Sequence, residues 1–254
     1  LVAALPHFMY KRSVLKTILE VNPYLFLNII NPEFKSKVKT EPNSDERFEE
    51  VRDNYKKFIE DGVLIKDKVP AIYIYRQTKG DKVFTGVIAG ASVDEYNNDL
   101  IKKHEATLTS REAMFTNYLD VVGYNAEPVL LSYSGTEEID KQITTKTKER
   151  AEYEFTTTDL NKHELWILNI PETAKMVNSF DKLDSVYIAD GHHRSASSSG
   201  FKRLSEERKD LHFPNSDYFL AFFIDENSIQ ILEFNRLVRT LNNYSPDEFL
   251  TLLN

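Results

Sequence analysis

The 254-residue sequence contains no cysteine. That absence excludes a disulfide framework, a thiolate zinc site, an iron–sulfur cluster and a cysteine nucleophile. It is compatible with a reducing compartment, and a cytoplasmic location is the expectation. Glycine is scarce, with 8 residues at positions 62, 80, 86, 90, 123, 135, 191 and 200. From those positions neither G-x-x-x-x-G-K-[ST] nor G-x-G-x-x-G can be written, so both common nucleotide loops are absent as standard motifs. Long apolar runs are missing too. Stretches such as Val129 to Leu131 or Tyr218 to Ile224 fall far short of the ~20 residues of a membrane span. The opening Leu1-Val-Ala-Ala-Leu-Pro6 has no basic segment and too short an apolar one for a signal peptide. Positive charge is also short: 32 Lys plus Arg against 40 Asp plus Glu leave −8. A duplex DNA partner is disfavoured, because DNA affinity rests on clustered cations.

What is present is core-forming material. Hydrophobic residues make up 41% and aromatics 12%, too rich for a disordered or low-complexity chain. Domains commonly run to ~100–200 residues, so one α+β domain is expected, in one piece or as two lobes, 1–98 and 99–254. Within residues 7–30 the chain looks helical after Pro6 and then turns at Asn22-Pro23, and Tyr24 to Ile30 reads as a buried strand. Ser44 starts a helix with apolar residues at helical spacing, closed by Gly62. Residues 71–75 and 82–89 flank the turn Lys79-Gly80-Asp81, which predicts a hairpin. A helix through Leu119, a strand at 128–133, a helix from Glu137 and a strand pair across 159–162 follow. Pro171 then begins a helix. Ser185 to Ala189 reads as a strand, and Asp190-Gly191 turns it into a helix from His192. Asp217 to Ile224 and Ile229 to Phe234 read as a second hairpin, and Ser245-Pro246 as the start of a last helix. The sum is a mixed sheet with hairpins and packed helices.

Two segments carry chemistry. In Asp190-Gly191-His192-His193-Arg194-Ser195 a strand turns sharply into a helix, whose N-terminus offers unpaired N–H groups and a positive dipole end. Arg194 adds a planar fork that fits phosphate oxygens. Asp190 could cap the helix or orient a histidine, and one imidazole could face a ligand while the other packs behind it. In Lys102-Lys103-His104-Glu105 the lysines could neutralise phosphate and Glu105 could act as a general base, with Thr107, Thr109 and Arg111 lining the same opening. The competing reading for both segments is a capped helix and a solvated face. Metal-dependent hydrolysis through His104, Asp190, His192 and His193 is an alternative. Adjacent residues rarely converge on one ion from a helix start, however, and a catalytic metal usually needs three protein ligands, so no metal ligand is assigned. Asn235-Arg236 with Arg239 is a weaker anion candidate.

The blocks Asn22-Pro23-Tyr24, Tyr73 to Thr78, Gly86 to Val93, Ile101 to Glu105, Glu127-Pro128-Val129 and Ile188 to Ser197, in this order, resemble the bacterial and archaeal family catalogued as domain of unknown function 1015. Its members are typically longer than this chain. The Asp-Gly-His-His-Arg turn is in turn similar to the Gly-x-x-Arg turn of the ParB and sulfiredoxin superfamily. That superfamily includes nucleotide hydrolases, a phosphoryl-transfer reductase and free-serine kinases. The resemblance implies a ParB/sulfiredoxin-like core in which Gly191, His192 and Arg194 contact phosphate. It also implies a nucleotide or small phosphorylated ligand, with Mg²⁺ as its companion. A nucleotide-switched regulatory module of ParB type is the alternative. Where the family tends to have Pro-Tyr-Asp, this chain has Pro6-His7-Phe8, so an acidic residue is lost and an inactive member is a further alternative. A phosphotransferase or nucleotide hydrolase is therefore expected. Catalysis would use Lys103, His104 and Glu105, and phosphate would be held by Lys102, Asp190, Gly191, His192, His193, Arg194 and Ser195.

Overall fold

The computed structural model describes residues 2–5, 7–34, 40–208, 216–231, 233, 235 and 237–253. It is a mixed α+β protein built on an eight-stranded sheet. In chain order the elements are α1 (Arg12–Val21), α2 (Leu27–Ile30), α3 (Asp45–Glu60), β1 (Tyr73–Lys79), β2 (Lys82–Ser92), α4 (Val93–Asn97), β3 (Ile101–Lys102), α5 (Thr109–Val122), β4 (Val129–Tyr133) and α6 (Glu137–Lys146). They continue with β5 (Tyr153–Thr156), β6 (Lys162–Ile167), α7 (Ile170–Phe180), β7 (Val186–Asp190), α8 (His192–Glu207), β8 (Tyr218–Asp225) and α9 (Pro246–Leu252).

The strands lie in the order β3-β7-β4-β8-β2-β1-β6-β5. β3 with β7 and β4 with β8 are parallel, and the other neighbours are antiparallel. The hairpin β1–β2 closes at Lys79↔Lys82, where Gly80 takes φ 58°. Caps set several helix starts. Ser44 accepts from the Arg47 N–H, and Asn169 and Ser245 form full capping boxes with Glu172 and Glu248. Such caps satisfy donors that a helix end otherwise leaves unpaired.

Alternation along the strands separates two faces. Ile74, Val87, Leu131, Trp166, Ile188 and Phe219 are buried in a core shared with Ile139 of α6 and Met176 of α7. The other face of β1 and β6 presents Tyr75, Gln77, His163 and Leu165, since Tyr75 opposes Leu165 and Gln77 opposes His163. A second cluster joins Ile29, Phe48, Val51, Phe58 and Val122 of α2, α3 and α5. Helices α5 and α8 approach closely because α8 carries small residues there. A Cβ at Gly200 would lie 2.6 Å from Thr116 Oγ1, whose hydroxyl donates to the Ser197 carbonyl at 3.2 Å.

Two expectations are corrected. Tyr24 to Ile30 contains the short helix α2 rather than a strand. A brief apolar run does not distinguish a buried strand from a buried helix by its pattern, and here the amides of Asn28 and Asn31 donate to the Asn22 and Leu27 carbonyls and close the turns. The second hairpin is also absent among the described residues. After β8 comes a 3₁₀ turn at Glu226–Ser228; residues 229–231 form no strand, and Ile231 is fully outside the core. The reason is topological: β4 and β2 already occupy both edges of β8. Residues 232 and 234 of that expected strand lie outside the described residues.

Candidate functional site

The sharp turn expected at residue 191 is built by glycine. Gly191 is the N-cap of α8 at φ 101°, a left-handed conformation that side chains resist. A Cβ would stand 3.0 Å from Arg194 Nε. No side-chain cap is made at this helix end among the described residues, so Asp190 does not take the capping role open to it. Its carboxylate instead accepts from Arg194 at 2.5 Å. Arg194 also donates to the Pro128 carbonyl, and its guanidinium lies 3.5 Å from Glu127. Arg194 therefore ties β7, α8 and the entry to β4 together, and leans toward the β4 side of the turn.

His192 leans the other way. Its ring packs edge-on against His104 at 4.4 Å between centroids, and its Nδ1 stands 3.7 Å from Glu105 Oε2. The two segments singled out from the sequence thus meet, and their contact is made by His104, Glu105 and His192 (one ligand-type atom of each within 4.8 Å of the others). Burial holds the His192 imidazolium below its ordinary range, and the neighbouring His104 adds to this against the pull of Glu105 and Asp190. His193 is partly buried and its Nδ1 has no hydrogen-bond partner among the described residues. Ser195 is fully buried and serves the helix, its hydroxyl donating to the His192 carbonyl at 3.1 Å.

The lysines are less convergent. Lys102 pairs with Asp99 at 3.3 Å, and Lys103 Nζ lies 4.1 Å above the Tyr96 ring. Thr107 donates to Glu112, and Thr109 begins α5. Arg111, Asn235 and Arg239 are exposed. Arg236 lies outside the described residues, as does Pro6, while His7 opens a 3₁₀ turn.

One feature escapes sequence reading. A cavity of about 780 Å³ lies on the Tyr75 face of the sheet, walled by Phe26, Tyr75, Phe115, Tyr118, Phe155 and His163, and reached by Arg194 and Ser197 of α8. Inside it the Tyr75 hydroxyl is 2.6 Å from His163 Nδ1. His163 Nε2 is 3.3 Å from Thr157 Oγ1, which donates to Asp159 at 2.6 Å. Phe155 stacks on the His163 ring at 4.8 Å. Tyr75 and Gln77 share a strand face by alternation, but nothing in the sequence says that β6 brings His163 beside them.

Burial also pulls His163 below the ordinary histidine value of 6.5. For a group with a lowered pKa, the unfolded chain takes up the proton first as pH falls. The contribution of His163 and His192 is then complete above about 6.5 and is lost below it. The melting temperature is expected to fall between pH 7 and pH 5.5, and to fall less in His163→Gln. An equal fall in parent and variant would contradict this reading of His163.

Among the described residues, no helix is long and apolar enough to cross a membrane. Comparison with curated proteins and with solved structures found no match. The family described as "Protein of unknown function (DUF1015)" matches residues 1–254, and the chain belongs to that family.

Proposed function

We propose that this chain is an enzyme that binds a small phosphorylated molecule at the turn from β7 into α8 and transfers or hydrolyses its phosphoryl group. The observation that carries the reading is an uncapped 16-residue helix start set between a cavity and a polar loop. The first N–H groups of α8 have no acceptor within the helix, and with the dipole they favour an anion. On one side, Arg194 and Ser197 border a cavity whose aromatic walls suit the organic part of a nucleotide. On the other stand Lys102, Lys103, His104 and Glu105. The likeness of the turn to that of the ParB and sulfiredoxin superfamily supports the same reading, by analogy alone.

In this reading the backbone of His192 and His193 holds phosphate. Arg194, already fixed by Asp190, Glu127 and the Pro128 carbonyl, keeps the turn in shape and presents its remaining donor capacity to the ligand. Lys102 and Lys103 offset developing charge, and Glu105 is the anionic group that can accept a proton from an acceptor hydroxyl. Mg²⁺ accompanies a polyphosphate, because catalysis of this kind is mostly positioning and charge neutralisation.

The test is thermal stabilisation by a panel of nucleotides and phosphorylated metabolites, with and without Mg²⁺. A ligand at a hundredfold its Kd adds about 2.7 kcal/mol, or roughly 5–10 °C for a chain of this size. Arg194→Ala is expected to lose that shift. A panel without any response, or a parental shift in Arg194→Ala, removes the reading.

A further inference from the structure

The loop after β3 and the first turn of α8 bring three groups of metal-binding type to one point. One ligand atom from each of His104, Glu105 and His192 lies within 4.8 Å of the other two. His192 anchors the group. Its side chain is 6% exposed, and its Nε2 is buried with no hydrogen-bond partner among the described residues. Its Nδ1 stands 3.7 Å from Glu105 Oε2. That gap is too long for a hydrogen bond. It is close to the ~3.3 Å that separates two donors each ~2.0–2.1 Å from one tetrahedral ion. A neutral imidazole gives one nitrogen to an ion and keeps its proton on the other, so Nδ1, the nitrogen beside Glu105, is the donor available to an ion and Nε2 carries the proton.

We propose that His104, Glu105 and His192 form a binding site for a divalent transition ion of zinc type. The donor set decides the class of ion. Imidazole nitrogen suits zinc and its first-row neighbours, whereas magnesium demands oxygen ligands in near-octahedral geometry. The division of rigidity also suits a metal site. His192 is fixed in the first turn of a long helix, while His104 and Glu105 are exposed on a loop, where their side chains can rotate to close on an ion. Three protein ligands leave a fourth position open, the arrangement of catalytic rather than structural zinc. In this assignment Glu105 is a ligand. The neighbours Asp190 and His193 stay out: the cluster comes from pairing the β3 loop with α8, not from the helix start alone.

The site shares residues with the phosphate reading but stands without it, and its test uses no phosphorylated compound. The full chain is stripped with a chelator and titrated calorimetrically with ZnCl₂ and, separately, with MgCl₂. One equivalent of zinc is expected to bind, with no magnesium response at the same concentration. Removing even the outer support of a metal ligand costs about 10–100-fold in affinity, so His104→Ala and Glu105→Gln should each lose about 100-fold. Both positions are exposed, and the melting temperature of the metal-free variants checks that the fold is retained. His193→Ala should bind as the parent does. No zinc binding at micromolar concentration, or an affinity that His104→Ala leaves unchanged, overturns the proposal. So does loss of binding in His193→Ala with binding retained in Glu105→Gln. Zinc binding with no response to any phosphorylated compound supports the metal site and removes the phosphate reading alone. A Mg²⁺-dependent nucleotide response without zinc binding overturns the metal site alone.

Discussion

Replacing Trp166 with alanine is expected to lower stability by about 3–5 kcal/mol, the range for removing a large aromatic from a packed core. Trp166 is 1% exposed in the core formed by β1, β2, β4, β6 and α7. Its indole N–H donates to the Glu149 carbonyl at 2.9 Å, so truncation leaves that acceptor without its partner. It also removes the ring over which Arg76 lies at 4.8 Å. Arg76 would keep its ion pair with Glu164, 3.6 Å away, but a half-buried cation would face a cavity. With natural stabilities of about 5–15 kcal/mol, the variant stands near the limit of folding. Trp166→Phe keeps most of the apolar volume and should lose clearly less. The chain has one tryptophan, so unfolding in urea is best followed by far-ultraviolet circular dichroism. A midpoint for Trp166→Ala within error of the parent would show that this core is not where the sheet gains its stability.

Gly86→Ala is expected to cost about 3 kcal/mol, the upper part of the range for overpacking, although it adds a single methyl group. Gly86 lies mid-sheet, opposite Tyr75 on β1 and Ile224 on β8. A Cβ there would come 2.3 Å from the Phe223 carbonyl oxygen and 2.6 Å from the Phe222 ring. The ring can swing aside, but the carbonyl belongs to the β2–β8 ladder and can move only if the strands part. Displacing Phe222 also disturbs Tyr75, whose ring packs against it at 5.7 Å. The variant should therefore lose stability and alter the Tyr75–His163 wall of the cavity together. Gly80→Ala makes the comparison: nothing lies within 4 Å of a Cβ at the turn, and only its positive φ opposes the change. A Gly86→Ala midpoint above that of Gly80→Ala would contradict the steric argument.

These two positions show how unevenly the fold was legible. Strand and helix positions followed from local chemistry wherever turn residues and periodicity agreed, as at Lys79-Gly80-Asp81, Ser44 and Ser245. The short apolar run at Tyr24 to Ile30 misled, because a run this brief carries no period, and the backbone bonds and the Asn28 and Asn31 side-chain bonds that close its turns leave no mark in the apolar pattern. The hairpin expected at Ile229 to Phe234 misled for another reason: local pattern does not report that both edges of β8 are taken.

The candidate site divides in the same way. By itself the sequence determined the parts: a glycine where a strand enters a helix, two histidines and an arginine after it, and Lys-Lys-His-Glu before α5. These are choices of residue type over a few positions, and short-range physics is enough to read them. Only the tertiary structure decided their pairing. The parallel contact of β3 with β7 carries His104 and Glu105 to His192, and the approach of β4 from the other side draws Arg194 to Pro128 and Glu127. The glycine scarcity that excludes both standard nucleotide loops thus leaves room for a different anion site with one glycine, Gly191. Which side chains face it depends on strand order, and strand order is a property of contacts between residues far apart in the chain.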